Sequence, residues 1–425
     1  MIGLIAASFF FMIFLGFPIA MAMACTTMVA IFADPSVNAL VFCQKAFSGA
    51  DSFALLAVPF FMLCGNLMSY VGIVDVLVNF ANTLIGWVRG GLAHAVIVAG
   101  ALMAAITGSA NASAAAIGSI STGALRKEGY SGGMAVSIVA AAGGLGPIIP
   151  PSIAMVIYCN LTNMSVGKMF VAGYIPGIIL AVGYCVFASI FAKKHGLPKH
   201  QFAGVKTAAK VTLQTIPALV LPVIIIGGIL FGVFTATEAG VIGAVYGIAY
   251  GVVTRKLTLA NFWKCMKDSV LGAAGPMAII IMSNGLGYMF TRNGLSAILA
   301  DFFAGTGSYV VFYIMIVIIL LIAGMFIDGT ASMLILVPIL IPIAKDFGLD
   351  MMQFSMIFIL ALLTGGLTPP VGALLFIVSG TAKVPLKDCC VPVIPFVVLQ
   401  CLLCIVIIFV PEIVTVIPEL FTAAK

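Results

Sequence analysis

The sequence predicts an all-α polytopic membrane protein made of two inverted-topology repeats, each with a re-entrant hairpin and a broken helix. Three observations carry this prediction. Of the 425 residues, 63% are hydrophobic and 8% charged, where a soluble domain carries about 25% charged residues; the mean hydropathy is +1.28. The chain also repeats itself. Pro150-Pro151 matches Pro369-Pro370 at a shift of 219, as do Thr162 and Thr381, Lys168 and Lys387, and Pro176 and Pro395. Upstream, Thr107-Gly108-Ser109-Ala110 aligns with Asp328-Gly329-Thr330-Ala331 at 221, and Gly65, Gly72 and Asn79-Phe80 with Gly287, Gly294 and Asp301-Phe302 at 222. Finally, the 19 Lys and Arg residues divide unevenly between the two sides, with 14 inside and five outside (Lys45, Lys168, Arg292, Lys345 and Lys425). Such a bias orients membrane helices.

At roughly 20 apolar residues per crossing, the length allows on the order of 12 crossings and little else. That excludes a large ectodomain, a built-in ATPase domain and a nucleic-acid binder. The net charge of +6 sits in short loops between apolar runs, which is a topology signal and not a DNA footprint.

Taken in order, the opening 31-residue apolar run is interrupted at Gly16-Phe17-Pro18. It is expected to form two short helices with the N-terminus outside. It lacks a basic n-region and an Ala-x-Ala site, so it reads as a retained segment. Residues 73–88 carry apolar side chains at helical spacing and suggest an arm along the membrane surface. Segments 91–106 and 112–125 are short for spans, with Arg89 and Arg126-Lys127 on the inner side. They read as a hairpin (about 91–125) that enters from the cytoplasm, with Gly108 to Asn111 at its tip. A broken helix follows at about 131–158 and completes a first repeat of 1–192.

A cytoplasmic basic linker, 193–214, holds Lys193, Lys194, Lys199, Lys206 and Lys210 and no acid. The second repeat then spans 215–425. Its runs 215–231 and 236–253 cross twice and return to Arg255, Lys256, Lys264 and Lys267. Thr235-Ala236-Thr237-Glu238 fits a capping box that opens the second run. Residues 257–267 mix Leu, Phe262 and Trp263 with lysines and suggest an interfacial helix; 294–304 suggests a second arm. The second hairpin, about 310–343, has Arg292 and Lys345 on the outer side and enters from outside. Its broken helix, about 352–378, runs opposite to the first. Inverted repeats with broken helices are the architecture of secondary transporters.

Non-helical backbone at membrane depth is tolerated only when buried in protein or lining a cavity. This chain puts it there four times, at 108–111, 143–151, 328–330 and 364–370. At each break one half-helix leaves carbonyls unpaired and the next begins with unpaired N–H groups. The former ligate cations and the latter attract anions. Each Pro-Pro pair follows a glycine-rich break, and proline suits the first position of a new helix. Ser109, Asn111, Ser113, Thr330, Ser332, Thr364 and Thr368 add neutral oxygens at the same level, a donor set suited to sodium beside an anionic substrate. Asp328 is an intramembrane carboxylate, either a helix cap or support for a cation site.

His94, His195 and His200 read as solvated flank or loop residues, and the ten cysteines as free thiols without a ligand cluster. No Walker A, HExxH, acidic metal cluster or serine-protease constellation appears, so the expectation is no enzyme.

Several stretches resemble the large membrane subunit of the TRAP (tripartite ATP-independent periplasmic) transporters. They are residues 57–68 (AVPFFMLCGNLM), the tip 108–118 (GSANASAAAIG), 146–152 (GPIIPPS), 232–239 (GVFTATEA) and 325–329 (MFIDG). The resemblance covers essentially the whole chain. Asn111 stands where a small or apolar residue is commoner, and Ala236 where proline is common.

The resemblance implies an elevator-type, sodium-coupled importer of organic anions in the bacterial inner membrane. C4-dicarboxylates, sialic acid and other sugar acids are the open substrate choices. The implied partners are a soluble periplasmic binding protein and a small four-helix membrane subunit on a separate chain, with membrane lipid around them. Two sodium sites are implied. The first would use Ser109, Asn111, Gly146, Ile149 and Pro151, and the second Gly329, Thr330, Gly365, Thr368 and Pro370. Ser113, Ser152, Ser332 and Thr364 are expected to serve the substrate, with Asp328 in support and both termini periplasmic. The alternatives are a stand-alone sodium/dicarboxylate symporter that needs no binding protein, and a non-transporting membrane scaffold.

Overall fold

Apolar runs broken by glycine, proline and small hydroxyl residues fold as helices that end at those breaks. The computed structural model describes residues 1–295, 298 and 308–423. The first repeat gives α1 (Ile2–Phe14), α2 (Ile19–Ala33), α3 (Leu40–Ala50), α4 (Ala57–Tyr70) and α5 (Ile73–Ile85). It continues with α6 (Gly91–Thr107), α7 (Ala110–Lys127), α8 (Gly132–Gly143), α9 (Ile153–Thr162) and α10 (Val166–Lys194). After it come α11 (Val205–Leu230), α12 (Ala236–Val253), α13 (Leu259–Arg292), α14 (Tyr309–Phe326) and α15 (Gly329–Asp346). The chain closes with α16 (Met351–Leu367), α17 (Ala373–Ala382), α18 (Ile394–Phe409) and α19 (Glu412–Ala423). Among the described residues, seven helices are long and apolar enough to cross a membrane.

Helices α6 and α7 form the first hairpin and α14 and α15 the second. Helices α8 and α9 are the halves of one broken helix, α16 and α17 those of the other. The opening run divides at Gly16 to Pro18 as expected, and Thr235 and Glu238 close both bonds of the capping box that starts α12.

Several expectations change. The proline pairs do not begin the new helices. They lie inside the breaks, each with a cis bond, and the N-caps are Ser152 and Gly372. Residues 257–267 are not a separate interfacial helix, because α13 runs unbroken for 34 residues. The basic stretch between repeats is irregular only from 195 to 204, since α10 reaches Lys194 and α11 starts at Val205. His94 is buried, at 7% exposure, with ring nitrogens 3.1 Å from the Gly90 carbonyl and 2.7 Å from Ser189 Oγ. The arm at 294–304 falls mostly outside the described residues, whereas α5 buries Ile73, Val74, Leu77 and Ala81 along one face.

Two sets of helices share one continuous core. In the first, α4 lies against α12 and α13, and α13 against α2 and α3. Asn66 Nδ2 donates to Ser269 Oγ at 2.9 Å across the α4–α13 contact. In the second group α6, α7 and α8 pack together, as do α14 and α16. The halves α8 and α16 are buried along nearly their whole length, as expected of helices apolar all round.

Close approach there depends on small residues, as in membrane helix packing generally. A Cβ on Gly143 would lie 2.5 Å from Ala114 Cα, and one on Gly365 2.6 Å from Gly324 Cα. The repeats also interlock: α17 packs on α7 and α8, and α9 on α15 and α16. That exchange brings both hairpin tips to one place.

Candidate functional site

Each hairpin turns where its second limb begins. Ser109 is the N-cap of α7, extended at φ −124°, and its side chain accepts the Ala112 N–H at 3.4 Å. Its equivalent turn is capped differently. Asp328 is the N-cap of α15, and its Oδ1 accepts the Thr330 N–H at 2.9 Å. Gly108 sits at φ +61°, and a Cβ there would approach the Pro151 carbonyl oxygen to 2.8 Å, so this position requires glycine.

The tips meet. Asn111 Nδ2 donates to Asp328 Oδ2 at 3.0 Å, joining residues that belong to different repeats. Both side chains line one open cleft. Ser109, Gly329 and Thr330 complete its polar end. The remaining wall is apolar and includes Ile153, Met333, Ile359 and Leu362. The N-termini of α7 and α15 both open at the polar end, where exposed N–H groups favour an anion.

The expected site residues fall into two layers. Ser109, Asn111, Asp328, Gly329 and Thr330 line the cleft. Gly146, Ile149, Pro151, Thr368 and Pro370 sit behind the tips in the two breaks, whereas Gly365, expected in a break over 364–370, lies inside α16, which stays helical to Leu367 and packs this glycine against Gly324 of α14. A Cβ on Gly146 would lie 2.8 Å from the Ala110 nitrogen, which places the first break directly against the first tip. Carbonyls of Ile149, Pro151, Thr368 and Pro370 accept no backbone hydrogen bond among the described residues. These are the free oxygens expected of a break.

Ser113, Ser152, Ser332 and Thr364 lie outside the cleft wall. The Ser113 hydroxyl pairs with Thr107 Oγ1 at 2.7 Å, Ser152 donates to the Pro147 carbonyl at 2.9 Å, and Thr364 to that of Leu360 at 2.8 Å. Ser332 Oγ is buried without a partner among the described residues.

Gln353, which sequence reading did not single out, anchors this half of the fold. Its Nε2 donates to the Ile407 and Ile408 carbonyls at 2.8 and 3.1 Å, where α18 ends, and its Oε1 accepts from Tyr313 at 3.0 Å. Helices α18 and α19 are bent by 63° just beyond. The available signal was a lone amide in an otherwise apolar run, since buried polar groups need partners.

The comparisons agree with this architecture. The solved structure of the Alcanivorax borkumensis YdaH transporter matches with a TM-score of 0.68, covering 92% of this chain and 96% of that one. At 14% identity that likeness speaks to the fold alone. The Vibrio cholerae sialic acid TRAP transporter large permease protein SiaM is 34% identical, over 96% of this chain and 96% of its own length. The Pseudomonas aeruginosa C4-dicarboxylate TRAP transporter large permease protein DctM is 34% identical, over 92% of each. A family model, the DctM component of the tripartite ATP-independent periplasmic transporter, matches residues 6–413. The chain, with its apolar helices, paired hairpins and paired breaks, therefore belongs to the TRAP transporter large permease family.

Proposed function

We propose that the chain is the membrane permease of a sodium-coupled importer of organic anions, supplied by a periplasmic binding protein. A small four-helix membrane subunit completes the complex in the bacterial inner membrane, and both termini of the chain are periplasmic. The observation that carries this reading is the convergence of two hairpin tips, each starting a helix, on one cleft.

Two sodium ions bind behind the tips. One uses Ser109, Asn111, Gly146, Ile149 and Pro151, and the other Gly329, Thr330, Gly365, Thr368 and Pro370. The unpaired carbonyls of the two breaks support this assignment, since hard cations prefer such oxygens. Asp328 supports the second site while capping α15. Ser113, Ser152, Ser332 and Thr364 serve the substrate through the layer behind the cleft. The hairpins and broken helices move together as the carrier, in an elevator-type motion against the group that contains α4, α12 and α13.

The test is uptake into proteoliposomes holding this chain and its small partner. Two variables suffice: an inward sodium gradient, and the binding protein loaded with candidate acids. Uptake that needs both is expected. Sodium-driven uptake without the binding protein would mean a stand-alone symporter, and uptake indifferent to sodium would remove the coupling assignment.

A further inference from the structure

Residues 195–204 join the two repeats, and they run across the base of the first hairpin. Leu197 is buried, and a Cβ on Gly129, in the turn between α7 and α8, would lie 3.3 Å from its Cδ2. The Pro198 carbonyl accepts the Gly90 N–H at 3.1 Å, and Lys199 pairs with Arg89 in an antiparallel bridge. Both contacts fall in the turn between α5 and α6. His200 Nε2 then lies 2.9 Å from Glu128 Oε1, just past the end of α7. Phe202 finishes the strap edge-on to Trp87, with ring centres 6.4 Å apart. The strap therefore ties the base of both hairpin limbs to the approach to α11.

We infer that this strap is a brake on the carrier. While His200 is docked on Glu128, the first hairpin cannot complete its travel past α11 and α12, and undocking of residues 198–202 releases it. The inference rests on the elevator-type motion proposed above.

Chain reach supplies the physical reason. Helix α10 packs on α6, whereas α11 packs on α12, so the linker runs from the moving set of helices to the stationary one. An extended chain spans about 3.3–3.6 Å per residue. With the strap docked only 201–204 are free, a reach of roughly 13–14 Å. With Leu197 still seated and 198–204 free, the reach grows to roughly 23–25 Å.

The contact suits a brake because it can open and close again. The His200 side chain is 51% exposed, and ion pairs that water reaches hold weakly. Glu128 has its other oxygen buried without a partner among the described residues, so undocking would strip the carboxylate of its His200 contact. Leaving such a group unpaired is costly, which favours redocking when the carrier returns.

Fixing the strap in place tests the inference. In His200→p-benzoylphenylalanine, illumination joins residue 200 to the turn around Glu128, and mass spectrometry identifies the joined peptides. Gly329 lines the cleft, and a Cβ there meets nothing within 4 Å, so Gly329→Cys in the same chain reports which side the cleft faces. The chain and its small partner are placed in right-side-out and inside-out membrane vesicles, with and without sodium. A membrane-impermeant maleimide is added, and labelling at residue 329 is followed. Before illumination, labelling is expected from both sides. Cross-linking should slow it from one side at least tenfold. A ten-residue Gly-Ser insertion between Ala203 and Gly204 should bring the cross-linked chain back to within threefold of the dark one, because flexible residues return the lost reach.

Unchanged labelling of the cross-linked chain from both sides overturns the brake and leaves the transport reading standing. Failure of the insertion to restore labelling, or absence of the cross-link, does the same. Labelling of the dark chain from one side only, in both sodium conditions, removes the carrier motion and the brake together. Should the photoreactive chain not fold, His200→Ala with Gly329→Cys decides. It should label faster from the slower side, and an unchanged or slower rate overturns the inference.

Discussion

In the first repeat the N–H of Ile153 donates to the carbonyl of Gly108, at the hairpin tip itself, at 3.1 Å. The matching N–H in the second repeat belongs to Gly372. It donates at 3.2 Å to Met325, four residues before Gly329, the counterpart of Gly108. Four residues are one helical turn, about 6 Å along the axis. The first tip is thus wedged into its break, and the second stands one turn proud of its own.

The surroundings differ accordingly. A Cβ on Gly146 would strike the first tip at 2.8 Å, while one on Gly329 would meet nothing within 4 Å. Pro150 and Pro151 are buried, whereas Pro369 is half-buried and Pro370 exposed. Helix lengths supply the cause: α8 ends after 12 residues, but α16 continues for 17. A longer first half shortens the second break to 368–372, against 144–152 in the first. Repeated sequence therefore sets which segments face each other, and helix length sets how deeply a tip is seated.

This contrast is open to direct attack. The largest effect is expected from Gly146→Ala, which overpacks the first tip. Such overpacking costs about 1–3 kcal/mol, so its unfolding midpoint should fall well below that of Gly329→Ala, expected to stay near wild type. Equal effects would show that the two tips are seated alike. Next, amide hydrogen exchange should be at least tenfold faster at Val371, which is exposed and whose N–H makes no backbone hydrogen bond among the described residues, than at the buried, bonded N–H groups of Gly144, Leu145, Gly146, Ile148 and Ile149.

A smaller effect sharpens the site assignment. Asn111→Ala and Thr330→Ala should each raise the sodium concentration for half-maximal uptake severalfold and leave membrane insertion intact. Sodium activation unchanged in both would remove these residues from the sites. The smallest effect concerns the breaks' helix caps. Ser152 caps α9 by accepting the Met155 N–H at 3.3 Å, while Gly372 offers no side chain. Ser152→Ala should lower stability by about 1 kcal/mol, read from unfolding midpoints; a neutral result would mean that the Pro147 contact and the cap contribute nothing.

Much of the fold was legible because its signals are local. Clustered glycine and proline mark helix ends, so the breaks near Gly143 and Leu367 and the tips at Gly108 and Asp328 could be placed from the chain alone, while single prolines such as Pro176, Pro276 and Pro338 lie inside helices. The capping box at Thr235 is a matter of spacing. The register of the prolines was less legible: they sit within the breaks, because Ser152 and Gly372 provide the N-caps. His94 lies four residues past the turn glycine Gly90 and looked solvated, and only the packing of α6 on α10 brings Ser189 to its ring.

Composition, repeats and charge bias determined by themselves that this is a membrane protein of two inverted halves with broken helices, since hydropathy and helix ends depend on near neighbours in sequence. The tertiary structure alone decided that α9 crosses to α15 and α17 to α7, and therefore that Asn111 reaches Asp328. Residues 217 apart in sequence meet only when the packing of whole helices is settled. The one-turn difference between the tips is of the same kind, because it follows from how far α16 runs before its neighbours stop it.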